Sequence, residues 1–329
     1  MASFDVMPDV QLYQPAALDD ALALADELGR DGWLLGGGQD TYGWLKDRAK
    51  QPKAMIDLTG IEGLNGIRDT GDGIEIGATT TLRDIIRDER VNRDYPLLSA
   101  AAGRVASPQI RNVGTLGGNL VQDARCWYYR RGLNCYRAGG NTCYADGPES
   151  MNREHCVFGA SRCVAVSPSD TATAMVALDA TMVAASSGGE RTIRAERFFV
   201  GPDTHIMQMT SLEPGEILTA VRIPARWAGK RQYFEKVADR AVWDFALVSI
   251  AAVMDMNGDT IADSRFVFGG VACTPHRLRN VEREARGKTL SEESANAVAA
   301  LASDGAVPLN YNHFKLPLME NLVRRAMRG

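Results

Sequence analysis

No stretch of the sequence stays apolar for the roughly eighteen residues that a membrane span demands. The start, MASFDVMPDVQLYQPAALDD, has neither the basic n-region nor the apolar h-region of an export signal. No membrane partner and no signal of the chain's own are expected, which leaves the cytoplasm, or the periplasm if a signal-bearing partner carries the folded chain there. An excess of one charge is also missing: 37 Lys and Arg stand against 41 Asp and Glu, with no basic block, so no nucleic-acid partner is expected. Histidine is scarce, and His155, His205, His276 and His313 form no metal-spaced group. There is no nucleophile–base pair, no plant-type [2Fe-2S] cysteine pattern and no internal repeat. No catalytic grouping for substrate chemistry is legible in the chain itself.

What is present is enough apolar material for a real core, 45% of 329 residues, and two or three domains' worth of chain. Residues 16–29 place Leu18, Leu22, Ala25 and Leu28 on one helical face ending at Gly29. A short strand over Trp33 to Leu35 follows, then Gly36-Gly37-Gly38-Gln39-Asp40-Thr41, a helix over TYGWLK and a strand over Met55 to Leu58. A second α+β texture begins near residue 60, with a strand over Ile74 to Ile76 and helices over Leu82 to Arg87 and Pro96 to Val105. Asp170 to Leu178 fits a helix capped by Ser169 or Asp170, Thr181 to Ala185 a strand, and Pro224 to Gly229 a linker. Alternating residues through Tyr233 and the turn Asn257-Gly258-Asp259 predict strands and a hairpin. Helices around 291–302 and 314–327 close the chain.

Two glycine-bearing turns are candidate ligand sites. A diphosphate needs backbone N–H donors at close range, and residues without a side chain offer them best. Gly36, Gly37 and Gly38 meet that need, as do Gly114, Gly117 and Gly118 with Thr115 and Asn119 beside them. Neither turn is a complete G-x-G-x-x-G or P-loop motif, and each by itself is as readily a tight turn.

Cysteine, by contrast, is concentrated. Five of six fall within residues 126–163, spaced C-x8-C-x7-C-x12-C-x6-C and interleaved with Trp127, Tyr128, Tyr129, Tyr136 and Tyr144. The segment has little helical or strand periodicity and reads as a long loop, which a compact domain tolerates when it is functional or cross-linked. An iron–sulfur cluster, a structural zinc, disulfides and free buried thiols all compete for it. Zinc usually takes paired C-x2-4-C knuckles, absent here, and disulfides suit exported chains. Cys273 reads as a buried structural residue.

The ordered series GGGQD, SPQIRNVGTLGGN, SPSDTATAMVALDA and YFEKVADRAVWDFALVSIAAV resembles the FAD-binding subunits of the xanthine dehydrogenase and aldehyde oxidoreductase family, over nearly the whole chain. Gln39 stands where that family usually has Thr, and Ser169 where many members have Gly. The resemblance implies an α+β protein: a two-subdomain FAD-binding domain of the vanillyl-alcohol-oxidase/PCMH type over residues 1–59 and 60–225, then a C-terminal α+β domain with an antiparallel sheet over 226–329. It implies FAD held by Gly36, Gly37, Gly38, Gln39, Asp40 and Thr41 on one wall and by Thr115, Gly117, Gly118 and Asn119 on the other. Asp170 is then expected on the ribityl or ribose hydroxyls and Lys236 near the flavin or diphosphate, a surface ion pair being the plainer reading of Lys236.

The loop, bounded at 124–165, resembles that of the family's subset with an additional [4Fe-4S] cluster, periplasmic aldehyde oxidoreductase and 4-hydroxybenzoyl-CoA reductase. That likeness implies Cys126, Cys135, Cys143 and Cys163 as ligands, with Cys156 spare, although spacing also admits Cys156 in place of Cys163. It further implies a large molybdopterin subunit and a small subunit with [2Fe-2S] clusters as partners, and an external electron acceptor. The segments GGVACTPHR and NYNHFKLPLMENLVRRAM favour the aldehyde-oxidising subset over the benzoyl-CoA one, in which electrons run towards molybdenum. A zinc-binding scaffold module is the alternative of another class.

Overall fold

The structure is a computed structural model and describes residues 6–328. The first layer is a small parallel sheet in the order β1-β3-β2, made of β1 (Gln11–Tyr13), β2 (Gly32–Leu35) and β3 (Ala54–Asp57). The helix Leu18–Leu28 crosses over it and buries Ala21, Leu22 and Ala25, the stripe set by i, i+1, i+4 spacing. Gly29 ends the helix with φ 49°, a conformation that only a residue without a Cβ adopts at no cost.

The second layer is a five-stranded antiparallel sheet, β4 (Ile67–Asp69), β5 (Gly73–Gly77), β6 (Thr181–Ser186), β7 (Gly189–Arg194) and β8 (Ile217–Pro224), in the order β4-β5-β8-β6-β7. Insertion of β8 between β5 and β6 pairs Ile76 with Val221 and Met182 with the same Val221 on its other side. Helices Pro96–Gly103 and Asp170–Ala177 cover it. Ser169, rather than Asp170, is the N-cap of the latter, its Oγ accepting from Ala172 N at 3.1 Å.

The third sheet, in the order β12-β11-β10-β9, joins β9 (Arg231–Val237), β10 (Val248–Asn257), β11 (Thr260–Gly269) and β12 (His276–Arg277), all antiparallel. The hairpin turns at Gly258-Asp259, with Asn257 opposite Thr260. Strand alternation divides this sheet between two cores. Ala251, Val253 and Val267 pack into the second layer's core, while Ile250, Ala252, Met254, Phe266 and Phe268 pack under the helices Glu292–Ala299 and Lys315–Arg328. A sheet buried on both faces docks the C-terminal part firmly against the helix Asp170–Ala177 and brings Lys236 on β9 towards Asp170.

Three expectations change. The stretch Pro224–Gly229 is not a free linker, because Trp227 within it is fully buried and its Nε1 donates to Asp179 at 2.8 Å. β1, β4, β7 and β8 lie where no strand is legible from periodicity. The cysteine segment contains a short helix, Trp127–Arg130, and a 3-10 turn, Tyr136–Ala138. Its buried side chains form part of a further core, in which Cys126, Cys135, Cys156 and Cys163 pack with Tyr129, Ala145 and Val164 and with Trp44, Met209 and Cys273 from elsewhere in the chain. Its exit is pinned from outside. Phe158 stacks on His276 at 4.1 Å, and the buried Lys315 ammonium donates to the carbonyls of Glu154, His155 and Gly270 at 3.1, 2.8 and 2.6 Å.

Candidate functional site

A cleft of about 590 Å³ opens where the first layer meets the second, within the range of ordinary ligand pockets. Its first wall is the turn that ends β2. Among the described residues, none of the backbone N–H groups from Gly36 to Asp40 donates to another protein group. Gly37 and Gly38, with φ 86° and 69°, curl the chain so that successive amides are left for a ligand. Gln39 clamps the turn from within, its Nε2 donating to Gly37 O at 3.1 Å, and Thr41 Oγ1 accepts from Trp33 Nε1 at 3.2 Å.

The second wall is the turn into the helix Leu116–Val121. Here the amides are spent inside the protein: Leu116 N donates to Thr80 O, Gly117 N to Ala78 O, and Gly118 N to Thr115 Oγ1. The Thr115 hydroxyl in turn donates to Gly36 O at 2.8 Å, so it sews the two turns together. The glycines make this possible. A Cβ on Gly37 would stand 2.2 Å from Val113 O, and one on Gly118 2.7 Å from Gly36 O. Asn119 supplies the ligand-facing group of this wall. Its Oδ1 accepts from Ser169 Oγ at 2.7 Å and Thr171 Oγ1 at 2.5 Å, which leaves the amide N–H groups for the cleft.

The floor holds an ion pair. Lys236 Nζ lies 2.5 Å from Asp170 Oδ2, with side chains only 3% and 4% exposed, and also donates to Arg104 O at 3.0 Å. Lys236 is therefore not a surface ion pair; it is a buried one, and both partners line the cleft. Burial pushes the Asp170 carboxyl above its ordinary pKa, against the pull of the Lys236 ammonium.

Several lining groups escape sequence reasoning. Arg130 makes a two-pronged bond to Asp40, 2.7 and 3.1 Å, and carries its guanidinium 4.4 Å from the Trp44 ring centroid, tying the first turn to the cysteine segment. Trp44 Nε1 donates to Asp40 as well, at 3.0 Å, so the Asp40 carboxylate is engaged by protein partners. At the rim, Trp243 is 59% exposed with φ 58°, and its N donates at 2.8 Å to Ala106 O, another residue at positive φ, 40°. Neither carries a sequence signal, since a positive φ is legible only where glycine announces it.

Behind this cleft lies a small cavity lined by Cys126, Cys135, Cys143 and Cys163 together with Tyr129 and Arg137. Cys156 does not line it. Its thiol is buried, and burial pushes it up to about 12. Burial likewise pushes Cys126 up to about 12, and His155 Nε2 lies 3.2 Å from its sulfur. Cys163 moves the other way, downwards, because the neighbouring Cys273 thiol and the Arg137 guanidinium favour its thiolate. Cys273 thus lies beside the loop cysteines, 110 positions from Cys163 by their numbers. Among the described residues, no three His, Cys, Asp or Glu side chains converge with the geometry of a single metal ion.

Residues 8–226 match the FAD binding domain in molybdopterin dehydrogenase, and residues 232–329 the CO dehydrogenase flavoprotein C-terminal domain. The chain is 38% identical over 290 residues to the aldehyde oxidoreductase FAD-binding subunit PaoB of Escherichia coli, covering 87% of each. It is 30% identical to the carbon monoxide dehydrogenase medium chain of Hydrogenophaga pseudoflava, covering 90% of this chain and 87% of that one. Among solved structures, the carbon monoxide dehydrogenase of that organism, in a form lacking the Mo-pyranopterin moiety, superposes with a TM-score of 0.78 at 28% identity, covering 98% and 97% of the two chains.

Proposed function

Since the chain belongs to the FAD-binding subunits of the molybdenum hydroxylase family, we propose that it serves as the flavin and [4Fe-4S] electron-transfer subunit of an aldehyde oxidoreductase. In this reading a large molybdopterin subunit and a small [2Fe-2S] subunit oxidise the aldehyde to a carboxylic acid, and this chain delivers the electrons to an external acceptor. The aldehyde assignment rests on the 38% identity to an aldehyde oxidoreductase subunit over most of both chains.

The cleft fits FAD by its donor set. The free amides from Gly36 to Asp40 suit a diphosphate, the Asn119 amide reaches in from the second wall, and the Asp170–Lys236 pair offers a carboxylate and an ammonium to polar parts of the cofactor. Gly117 and Gly118 act by letting the two walls approach, and Thr115 by holding them together.

The observation that carries the cluster reading is the cavity shared by Cys126, Cys135, Cys143 and Cys163. Four cysteines lining one space match the ligand count of a cubane cluster, and their spacing lacks the paired knuckles usual for structural zinc. Bound together, the two groups supply a store for electron pairs and a relay for single electrons. The protein's part is to hold them side by side, and the Asp40–Arg130 pair joins the residues of one site to the segment of the other. The test is iron and flavin content of the complex purified with its partners. Cys163→Ser is expected to remove about four irons per chain while FAD stays, and Cys156→Ser to leave iron unchanged. Stoichiometric zinc, or the reverse result for the two variants, overturns the cluster assignment.

A further inference from the structure

Arg137 is 1% exposed, and its nearest carboxylate, Asp123 Oδ1, is 3.9 Å away. A buried guanidinium paired so distantly is costly unless another negative group compensates it. Its remaining contacts say where that group lies. Nη2 donates to Cys273 Sγ at 3.2 Å, the Cys163 sulfur is within its reach, Nη1 reaches Gln208 O at 3.4 Å, and Nε has no hydrogen-bond partner at all. Arg137 lines the four-cysteine cavity, whereas Asp123 and Gln208 line the flavin cleft. One cation therefore touches the walls of both sites.

We propose that Arg137 is a positioning residue for the cluster held by Cys126, Cys135, Cys143 and Cys163, donating to it and setting its reduction potential, with Asp123 as the opposing charge on the flavin side. This rests on the cluster reading above. Thiolate ligation makes such a cluster anionic, and each electron it accepts adds one negative charge. A fixed cation beside it stabilises the reduced form more than the oxidised form and raises the potential; a carboxylate beside that cation does the opposite. Hydrogen bonds and charge near cluster sulfurs are established means of tuning such potentials.

The experiment is an EPR-monitored redox titration of the purified complex as wild type, Arg137→Lys, Arg137→Met and Asp123→Asn, with iron measured on each. Arg137→Met is expected to lower the potential, by about tenfold in the reduced-to-oxidised ratio at a fixed potential, equivalent to 59 mV for one electron. Arg137→Lys keeps the charge and should fall between it and wild type, and Asp123→Asn should shift the potential upwards. Potentials equal to wild type in iron-replete Arg137→Met and Asp123→Asn overturn the proposal. So does loss of iron from all three variants, which assigns Arg137 to folding alone. Absence of the cluster from wild type instead refutes the reading on which the proposal rests.

Discussion

The Asp170–Lys236 pair provides the sharpest energetic test of the cleft. The two groups are 2.5 Å apart and almost fully buried, and the helix beginning at Asp170 meets β9 through them. Removing one member of such a pair leaves an uncompensated buried charge, at a cost of about 3–5 kcal/mol. Asp170→Asn keeps the shape, strands the ammonium on the single Arg104 carbonyl, and should fall in that range. Lys236→Met strands the carboxylate, whose pKa burial already holds high. Its deficit should therefore be largest at neutral pH and shrink as the pH falls through that raised pKa, where the carboxyl becomes neutral. The double variant removes both charges and should cost less than the sum of the singles by more than about 2 kcal/mol, the signature of direct coupling. Urea unfolding of the four proteins, followed by tryptophan fluorescence at pH 7 and pH 5, measures every term. Singles that each cost under about 1 kcal/mol, as exposed pairs do, or a coupling near zero, refute the description of this floor as a dry, interlocked pair.

Other outcomes follow from the same geometry. Gly37→Ala places a Cβ 2.2 Å from Val113 O at φ 86°, so the two turns must part; FAD content of the purified complex should fall severalfold, whereas Gly43→Ala, with open space around it, should retain flavin. His276 is held down to about 4 by burial against an ordinary 6.5, so its neutral form stabilises the fold above pH 6.5 and that contribution is lost as pH falls through 4, a term of at most about 3 kcal/mol. His276→Phe should flatten the decline of the urea midpoint between pH 7 and 4, and an unchanged slope would show that His276 does not contribute. Cys156→Ser should leave the iron content at the wild-type level, as measured by iron assay, because its thiol lies outside the cavity that the other four loop cysteines line.

Much of the site's local chemistry is legible along the chain. The glycine turn after β2, the Ser169 cap, the Gly258-Asp259 hairpin and the concentration of cysteines all depend on neighbours a few residues apart, where backbone preference acts directly. The segment Pro224–Gly229 misled because proline and glycine mark a break in a strand without saying whether a buried Trp227 anchors it. The departures Gln39 and Ser169 find their reasons only in three dimensions: one clamps its own turn, and the other both caps a helix and orients Asn119.

By itself, then, the sequence determines the α+β class, the family, the two turns and the supply of thiols, since each rests on local pattern or on a long motif. Tertiary structure decides which groups meet. Insertion of β8 between β5 and β6 and burial of the β9–β12 sheet on both faces set Lys236 against Asp170. The same packing brings Thr115 to Gly36, Arg130 to Asp40, and Cys273 to Arg137. Such pairs are separated by 66 to 136 positions in the chain, and no local preference encodes them. They arise from the closing of shared cores, and they divide the cysteines into four that line a cavity and two that do not.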